Sequence, residues 1–129
     1  MLVTLKGRPR VRNYFDTQLF HIWRTDPEIS QVTFPPNGST PPHTHAGAFV
    51  AVVVLKGSVL NKMNNDPMKI FHAGGTFHEM PGCHHKISDN ASQTEEAVIL
   101  ANLVVNTEVL DRDGIQGLVV IDEEYRVKL

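Results

Sequence analysis

The chain alternates between short runs of hydrophobic and polar residues and clusters of turn-forming residues. Strand-like runs lie at residues 18–23, 28–34, 48–55, 58–63, 68–72, 75–80, 84–88 and 97–105. Clusters rich in Asp, Asn, Gly and Pro separate several of them, at residues 24–27, 35–42 and 64–67. Many short strands spaced by turn signals are typical of β-sandwiches and β-barrels. We therefore predict a single all-β domain over residues 1–129.

Three runs allow more detailed predictions. Residues 48–55, with the sequence AFVAVVVL, are so uniformly apolar that they predict a strand buried on both faces. The following "KG" predicts a hairpin that joins this strand to residues 58–63. Residues 106–114, NTEVLDRDG, predict the single short helix, which ends at Gly114.

Charge and cysteine content limit the classes of partner. The chain has 12 Lys and Arg against 14 Asp and Glu, and this balance gives no electrostatic reason to bind nucleic acid or an anionic membrane. A single cysteine, Cys83, excludes an internal disulfide and is compatible with a reducing compartment. The N-terminus has no apolar run of signal-peptide length, and no segment approaches the roughly 18 apolar residues of a membrane span. We expect a cytoplasmic protein whose partner is a small molecule or a second copy of itself.

Two pairs of histidines carry the candidate chemistry. His43 and His45 are two residues apart, so in an extended segment both imidazoles point the same way, as ligands of one transition metal would. The prolines at positions 41 and 42 favour such an extended segment. His84 and His85 are adjacent, and strand alternation sends them to opposite faces. At most one of this second pair can join the first.

These residues resemble the two sequence motifs of the cupin superfamily of small β-barrels. The first motif covers about residues 38–57 and the second about residues 75–90, and the two-residue gap after Gly82 selects His85 over His84. The spacing departs by one residue between Gly38 and His43, at Pro81–Gly82, and before Asn90. The resemblance implies a single-domain cupin jelly-roll barrel. It also implies a homodimer in which an N-terminal arm, about residues 1–15, pairs with the partner subunit.

The clearest departure from the cupin pattern is a missing glutamate. The first motif places a metal-binding glutamate three or four residues after the second histidine, where this chain has Phe49 and Val50. The resemblance then implies a site of three histidines, His43, His45 and His85, for one divalent transition metal among Fe, Zn, Ni, Cu and Mn.

Neighbouring residues complete the predicted site. We expect Phe49 and Val50 to line an apolar substrate pocket. Glu79 would either reach the metal or act as a catalytic acid or base if its side chain points inward, and is otherwise an ordinary exposed strand residue. Cys83 is expected to be a buried, inert thiol because no Cys-x-x-Cys spacing accompanies it. His21, His72 and His78 are expected to be structural or surface residues.

Three functions follow from these expectations. Three neutral ligands leave the ion its full +2 charge, which favours an anionic, chelating and partly apolar substrate. The first hypothesis is an iron-type dioxygenase, by analogy with three-histidine cupins. The second is a redox-neutral zinc or nickel cyclase, isomerase or lyase in which Glu79 moves protons. The third is a non-catalytic ligand-binding or sensor protein, as the missing glutamate would suggest.

Overall fold

Short strands make up most of the computed structural model, which describes residues 4–7 and 25–126. The predicted all-β class is confirmed, whereas the strand predicted at residues 18–23 and most of the N-terminal arm lie outside the described residues. The strands are β1 (Thr4–Gly7), β2 (Thr25–Phe34), β3 (Ser39–Thr40), β4 (His43–Thr44), β5 (Phe49–Lys56), β6 (Ser58–Met63), β7 (Lys69–His72), β8 (Thr76–Glu79), β9 (His85–Asn90), β10 (Ala97–Asn106) and β11 (Val120–Ile121).

The strands form two antiparallel sheets that face each other as a jelly-roll barrel. One sheet has the order β1-β2-β10-β5-β8, and the other has the order β11-β4-β9-β6-β7 with β3 also paired to β9. Within the described residues, β1 of the N-terminal arm pairs with β2 of its own chain. The core lies between the sheets and contains Val32, Phe34, Val50, Val52, Val54, Ile99, Ala101, Leu103 and Val105, among others.

Strand β5 is buried on one face only, which corrects the prediction that both faces are covered. Val50, Val52 and Val54 point into the core, while Ala51 and Leu55 are exposed on the outer face of the sheet. An apolar composition fits either arrangement, because a sheet that packs on one side does not forbid apolar residues on the other. Only the alternation of burial along the strand tells the two apart.

The predicted hairpin after β5 is also wrong. β5 pairs with β10 and β8 in one sheet, whereas β6 pairs with β7 and β9 in the other. The chain crosses between the sheets at Gly57, where φ is +73° and a Cβ atom would lie 2.7 Å from the Glu96 carbonyl oxygen. Glycine is required there both for its left-handed backbone and for the close approach of Glu96.

The predicted turn at residues 24–27 lies largely within strand β2. Pro27 sits opposite Val104 of β10. Proline is tolerated because β1 pairs only with residues 30–33, so this part of β2 has β10 as its one neighbour among the described strands.

The short helix is confirmed as α1 (Thr107–Asp113). The Asn106 side chain accepts a hydrogen bond from the Glu108 N–H at its start, and Gly114 ends it with a φ of +71°. A 3₁₀ turn, Ile115–Leu118, then leads to β11, which pairs with β4. No helix in the described part of the chain is long and apolar enough to cross a bilayer.

Candidate metal centre

The structure brings the three predicted histidines together at one end of the barrel. His43 begins β4, His45 follows that strand, and His85 begins β9 directly opposite His43. Directly opposed residues share a face of the sheet, and the i, i+2 spacing puts His45 on that face too. One nitrogen from each ring can be chosen so that all three lie within 4.8 Å of one another. The cluster is therefore compatible with a single bound metal ion.

Backbone carbonyl groups fix the orientation of two of the rings. His43 Nδ1 donates to the Pro41 carbonyl at 2.8 Å, and His45 Nδ1 donates to the Leu118 carbonyl at 2.9 Å. A carbonyl accepts only, so the proton of each neutral ring sits on Nδ1 and the Nε2 lone pair is left free. Metal-binding histidines typically donate their other ring nitrogen in this way.

Glu79 is the last residue of β8 and its carboxylate faces the histidines. A tight turn stabilised by the Cys83 N–H to Met80 carbonyl bond, with Gly82 at a φ of +82°, connects it to β9. Glu79 Oε1 lies 2.9 Å from His85 Nδ1, and Oε2 lies 3.4 Å from His45 Nε2. The side chain is inward and only 3 % exposed, so of its two predicted orientations the buried one applies.

Several buried polar atoms of this cluster have no hydrogen-bond partner. They are both ring nitrogens of His85 and Oε1 of Glu79, although Oε1 and Nδ1 are only 2.9 Å apart. Buried polar atoms without partners are costly and rare in folded proteins. A bound cation would satisfy the lone pairs of Glu79 Oε1 and of the unprotonated His85 nitrogen, so this donor set fits a divalent transition metal.

Burial and mutual charge set the protonation of the site. Burial lowers the pKa of His43 to about 4, so its ring is neutral and able to act as a ligand near neutral pH. Burial also opposes protonation of His45, but the Glu79 carboxylate and the Leu118 carbonyl outweigh it and raise the pKa. Burial alone would raise the pKa of Glu79, yet the His45 and His85 rings hold it well below its usual range. Glu79 is therefore an ionised carboxylate in a mostly buried position.

A cavity of about 300 Å³ opens beside these four side chains. Its polar lining consists of these four residues with Thr40 and Ser88, while most of its wall is apolar. Both sheets contribute, and so does the segment after α1. The apolar lining comprises Val32, Phe34, Pro41, Val50, Val52, Phe77, Ile99, Ala101, Leu103, Ile115, Leu118, Val119 and Ile121.

Phe49 and Val50, both predicted to line the pocket, lie on opposite faces of β5. Val50 is 1 % exposed and lines the cavity. Phe49 instead stacks on His78 with 6.0 Å between ring centroids and is absent from the cavity wall. Because successive strand residues alternate between faces, only one of the two can face the histidines. The structure therefore corrects the expectation for Phe49.

Where the structure describes them, the other histidines and Cys83 contribute no ligand atom to the cluster. His84 points to the C-terminal segment, where its Nε2 lies 2.8 Å from Asp122 Oδ2. His72 shares a hydrogen bond with the Ser58 hydroxyl at 2.7 Å. Cys83 is buried, with its sulfur 3.5 Å from the Asn64 amide nitrogen. His21 lies outside the described residues.

The sequence alone does not reveal the role of residues 115–121. Four apolar side chains of this segment wall the cavity, and the Leu118 carbonyl orients His45. A backbone carbonyl carries no residue-type signal, so no motif could have indicated it. The polar lining residues Thr40 and Ser88 were missed as well, although both lie within or beside the motif segments.

Comparison with known proteins places this geometry in context. A family model described as "Cupin domain" matches residues 30–105. A structure of oxalate oxidase is 27 % identical, with a TM-score of 0.54 over 60 % of this chain and 41 % of its own. Another, of oxalate oxidase with the substrate analogue glycolate, is 25 % identical, with a TM-score of 0.54 over 64 % of this chain and 47 % of its own.

More distant likeness supports the fold alone. The structure of KdgF from Halomonas sp. is 12 % identical, with a TM-score of 0.59 over 79 % of this chain and 77 % of its own. No curated protein matches the chain. The chain spans less than half the length of the oxalate oxidase chains that it resembles.

Proposed function

The chain belongs to the cupin family, and from this we propose that it is a metal-dependent enzyme that oxidises a small organic anion with dioxygen. One observation carries the proposal. His43, His45, His85 and Glu79 converge on the wall of a mostly apolar cavity of about 300 Å³, and several of their buried polar atoms lack partners. A redox-active divalent ion held there would supply both Lewis acidity and the electrons that activate dioxygen.

The cavity supports a substrate with an anionic head and an apolar body. Its volume is at the small end of ligand pockets, which suits a compact molecule. The Thr40 and Ser88 hydroxyls lie at the wall where oxygen atoms of the substrate would be held, and the valine-rich wall would receive the rest. The likeness to oxalate oxidase, whose substrate analogue glycolate is a small carboxylate, is consistent with a carboxylate head.

The chain's own residues perform three tasks in this proposal. The Pro41 and Leu118 carbonyls hold two rings in the tautomer that leaves Nε2 free. The apolar wall excludes water and so strengthens electrostatic interactions in the site. Glu79, the single carboxylate on the cavity wall within the described residues, adds a fixed negative charge.

The second candidate is a redox-neutral isomerase, cyclase or lyase. It is favoured by one observation, the position of the Glu79 carboxylate on the cavity wall in contact with the His45 and His85 rings, through which a proton would pass to or from a bound substrate. Such an enzyme needs Lewis acidity and no dioxygen, so zinc would serve.

Metal analysis and oxygen uptake test these candidates. We expect stoichiometric metal in the purified protein, and oxygen consumption by the Fe²⁺-loaded protein with small carboxylates, enolates or catecholates. Turnover by the Zn²⁺-loaded protein without oxygen would instead support the redox-neutral candidate. Binding of these molecules with no turnover under either condition would overturn both enzymatic proposals in favour of a sensor. The absence of metal after reconstitution would overturn the metal site itself.

A homodimer remains the expected assembly. It was inferred from the family resemblance and its N-terminal arm, most of which lies outside the described residues. Light scattering of the purified protein should give twice the 14.4 kDa chain mass. A mass of one chain at micromolar concentration would contradict the expectation.

A further inference from the structure

We infer that Glu79 is the carboxylate ligand of the metal site, moved from strand β5 to its neighbour β8. This inference rests on the proposed metal site and specifies its fourth ligand. The residues that occupy the glutamate position of the first motif, Phe49 and Val50, cannot bind a metal. A carboxylate is nonetheless present at the cluster, and it comes from Glu79, at a position that the second motif spans but leaves unspecified.

The strand register explains how the carboxylate can come from another strand. Val50 of β5 and Glu79 of β8 are direct partners in the antiparallel ladder. Directly opposed residues share a face, with Cβ atoms about 4.5–5.5 Å apart. Both side chains are buried, at 1 % and 3 % exposure, and both line the cavity. A glutamate at either position therefore starts from nearly the same place and faces the same histidines.

The distances around Glu79 are those of ligands that share an ion. Its two oxygens lie 2.9 Å from His85 Nδ1 and 3.4 Å from His45 Nε2. Two donor atoms bound to one ion at about 2.0–2.2 Å, with angles between 90° and 109°, lie about 2.8–3.6 Å apart. The 2.9 Å contact lacks the alignment of a hydrogen bond, and both of its atoms, Glu79 Oε1 and His85 Nδ1, are buried without a partner. Convergence without hydrogen bonding is expected when an ion between the atoms supplies the interaction.

If Glu79 only oriented a metal-binding histidine without binding the metal, its contacts would differ from those observed. A carboxylate that only orients a histidine accepts a hydrogen bond from the ring nitrogen opposite the metal, as the Pro41 and Leu118 carbonyls do here. Glu79 Oε1 makes no such aligned bond with His85 Nδ1. It also contacts two different histidines rather than one. Both facts favour a position inside the coordination sphere.

Ligation by Glu79 changes what the site can bind. The charge of a divalent centre falls from +2 to +1, so its attraction for anions is weaker than at a site of three histidines alone. Four protein ligands leave two positions of a six-coordinate ion open rather than three. The substrate class narrows to molecules that bind through one or two oxygen atoms.

The inference is tested by moving the glutamate from position 79 on β8 to position 50 on β5, its partner in the ladder. Zn²⁺ alone is the probe. Zn²⁺ affinity is measured by chelator competition for the wild type and for Glu79→Gln, Glu79→Val, Val50→Glu/Glu79→Val and Val52→Glu/Glu79→Val. The last double variant is the matched control, because Val52 also lines the cavity but pairs with Phe77, two ladder positions away. X-ray absorption and a crystal structure of the Zn²⁺-loaded wild type give the coordination directly.

We expect Glu79→Gln and Glu79→Val to bind Zn²⁺ more than about tenfold more weakly. Val50→Glu/Glu79→Val should recover most of the loss, whereas Val52→Glu/Glu79→Val should recover none. In the loaded wild type a Glu79 oxygen should lie about 2.0–2.2 Å from zinc.

Other outcomes distinguish failure of the Glu79 inference from failure of the proposed metal site. Wild-type zinc binding that requires His43 but is indifferent to Glu79→Gln overturns the inference and leaves the metal site standing. A zinc ion more than about 3 Å from both Glu79 oxygens in the loaded wild type also overturns the inference and leaves the metal site standing. This result does not depend on whether the double variants fold. A wild type that binds no metal overturns the metal site and the inference together.

Discussion

Replacing His85 with alanine is expected to abolish tight metal binding, whereas the same change at the adjacent His84 leaves it intact. His85 is 5 % exposed, faces His43 across the ladder, and has two buried ring nitrogens without hydrogen-bond partners. His84 instead pairs with Asp122 on the outer side of the sheet, a partly exposed contact of small energetic value. His84 and His85 are adjacent in the chain, so the comparison tests the face to which each side chain points.

Zinc-dependent thermal stability measures this difference. A ligand that binds only the folded state stabilises it by about 2.7 kcal/mol at a hundredfold excess over its dissociation constant. The wild type and His84→Ala should show this rise in melting temperature, and His85→Ala should show little or none. The loss of affinity should exceed the roughly 10–100-fold that removal of an outer hydrogen-bond partner costs. If His84→Ala reduced the zinc-dependent rise in melting temperature more than His85→Ala did, the assignment of His85 as the third ligand would be wrong.

Asn90→Ala should be strongly destabilising, although Asn90 is remote from the chemistry. Its side-chain nitrogen lies 2.7 Å from the Glu95 carbonyl oxygen and 3.0 Å from that of Pro35, and its oxygen accepts the Ser92 N–H at 2.9 Å. The residue is 7 % exposed. Removing the amide loses these three hydrogen bonds, at about 0.5–1.5 kcal/mol each. We expect a loss of about 3 kcal/mol in the free energy of unfolding and a fall of about 10 °C in melting temperature.

Chemical denaturation with two further variants identifies the cause. Asn102→Ala removes an amide from an exposed position on β10 and should change stability by less than about 0.5 kcal/mol. Asn90→Asp keeps the size of the side chain but cannot donate to the carbonyls when ionised, so it should be destabilising as well. If Asn90→Asp were as stable as the wild type, the hydrogen bonds would not be the source of the stability.

The histidine triad could be predicted because its geometry is local. His43 and His45 share a face through strand alternation alone, and the gap after Gly82 distinguishes His85 from His84. The ladder then places His43 opposite His85. The helix was predictable for the same reason, since Asn106 and Gly114 act within one turn of its ends.

The inward orientation of the Glu79 side chain could not be predicted from the local sequence. β8 is a four-residue strand between two turns, so its inward face depends on its register with β5, a contact between distant parts of the chain. The same register decides that Val50 rather than Phe49 faces the cavity. The crossing at Gly57 is another case, because a lysine-glycine pair suits a hairpin and a change of sheet equally well.

The segment after α1 contributes both to the cavity wall and to the orientation of His45. The Leu118 side chain helps to shape the cavity, and the carbonyl of the same residue holds the His45 ring. Ile121 lines the same cavity and pairs with His43 through the backbone. A mutation that reshapes this wall for a new substrate is therefore expected also to shift an imidazole of the candidate metal site. Substrate preference and metal affinity are expected to evolve together in this protein, and substitutions on the opposite wall, at Val52 or Ile99, offer the route by which one can change without the other.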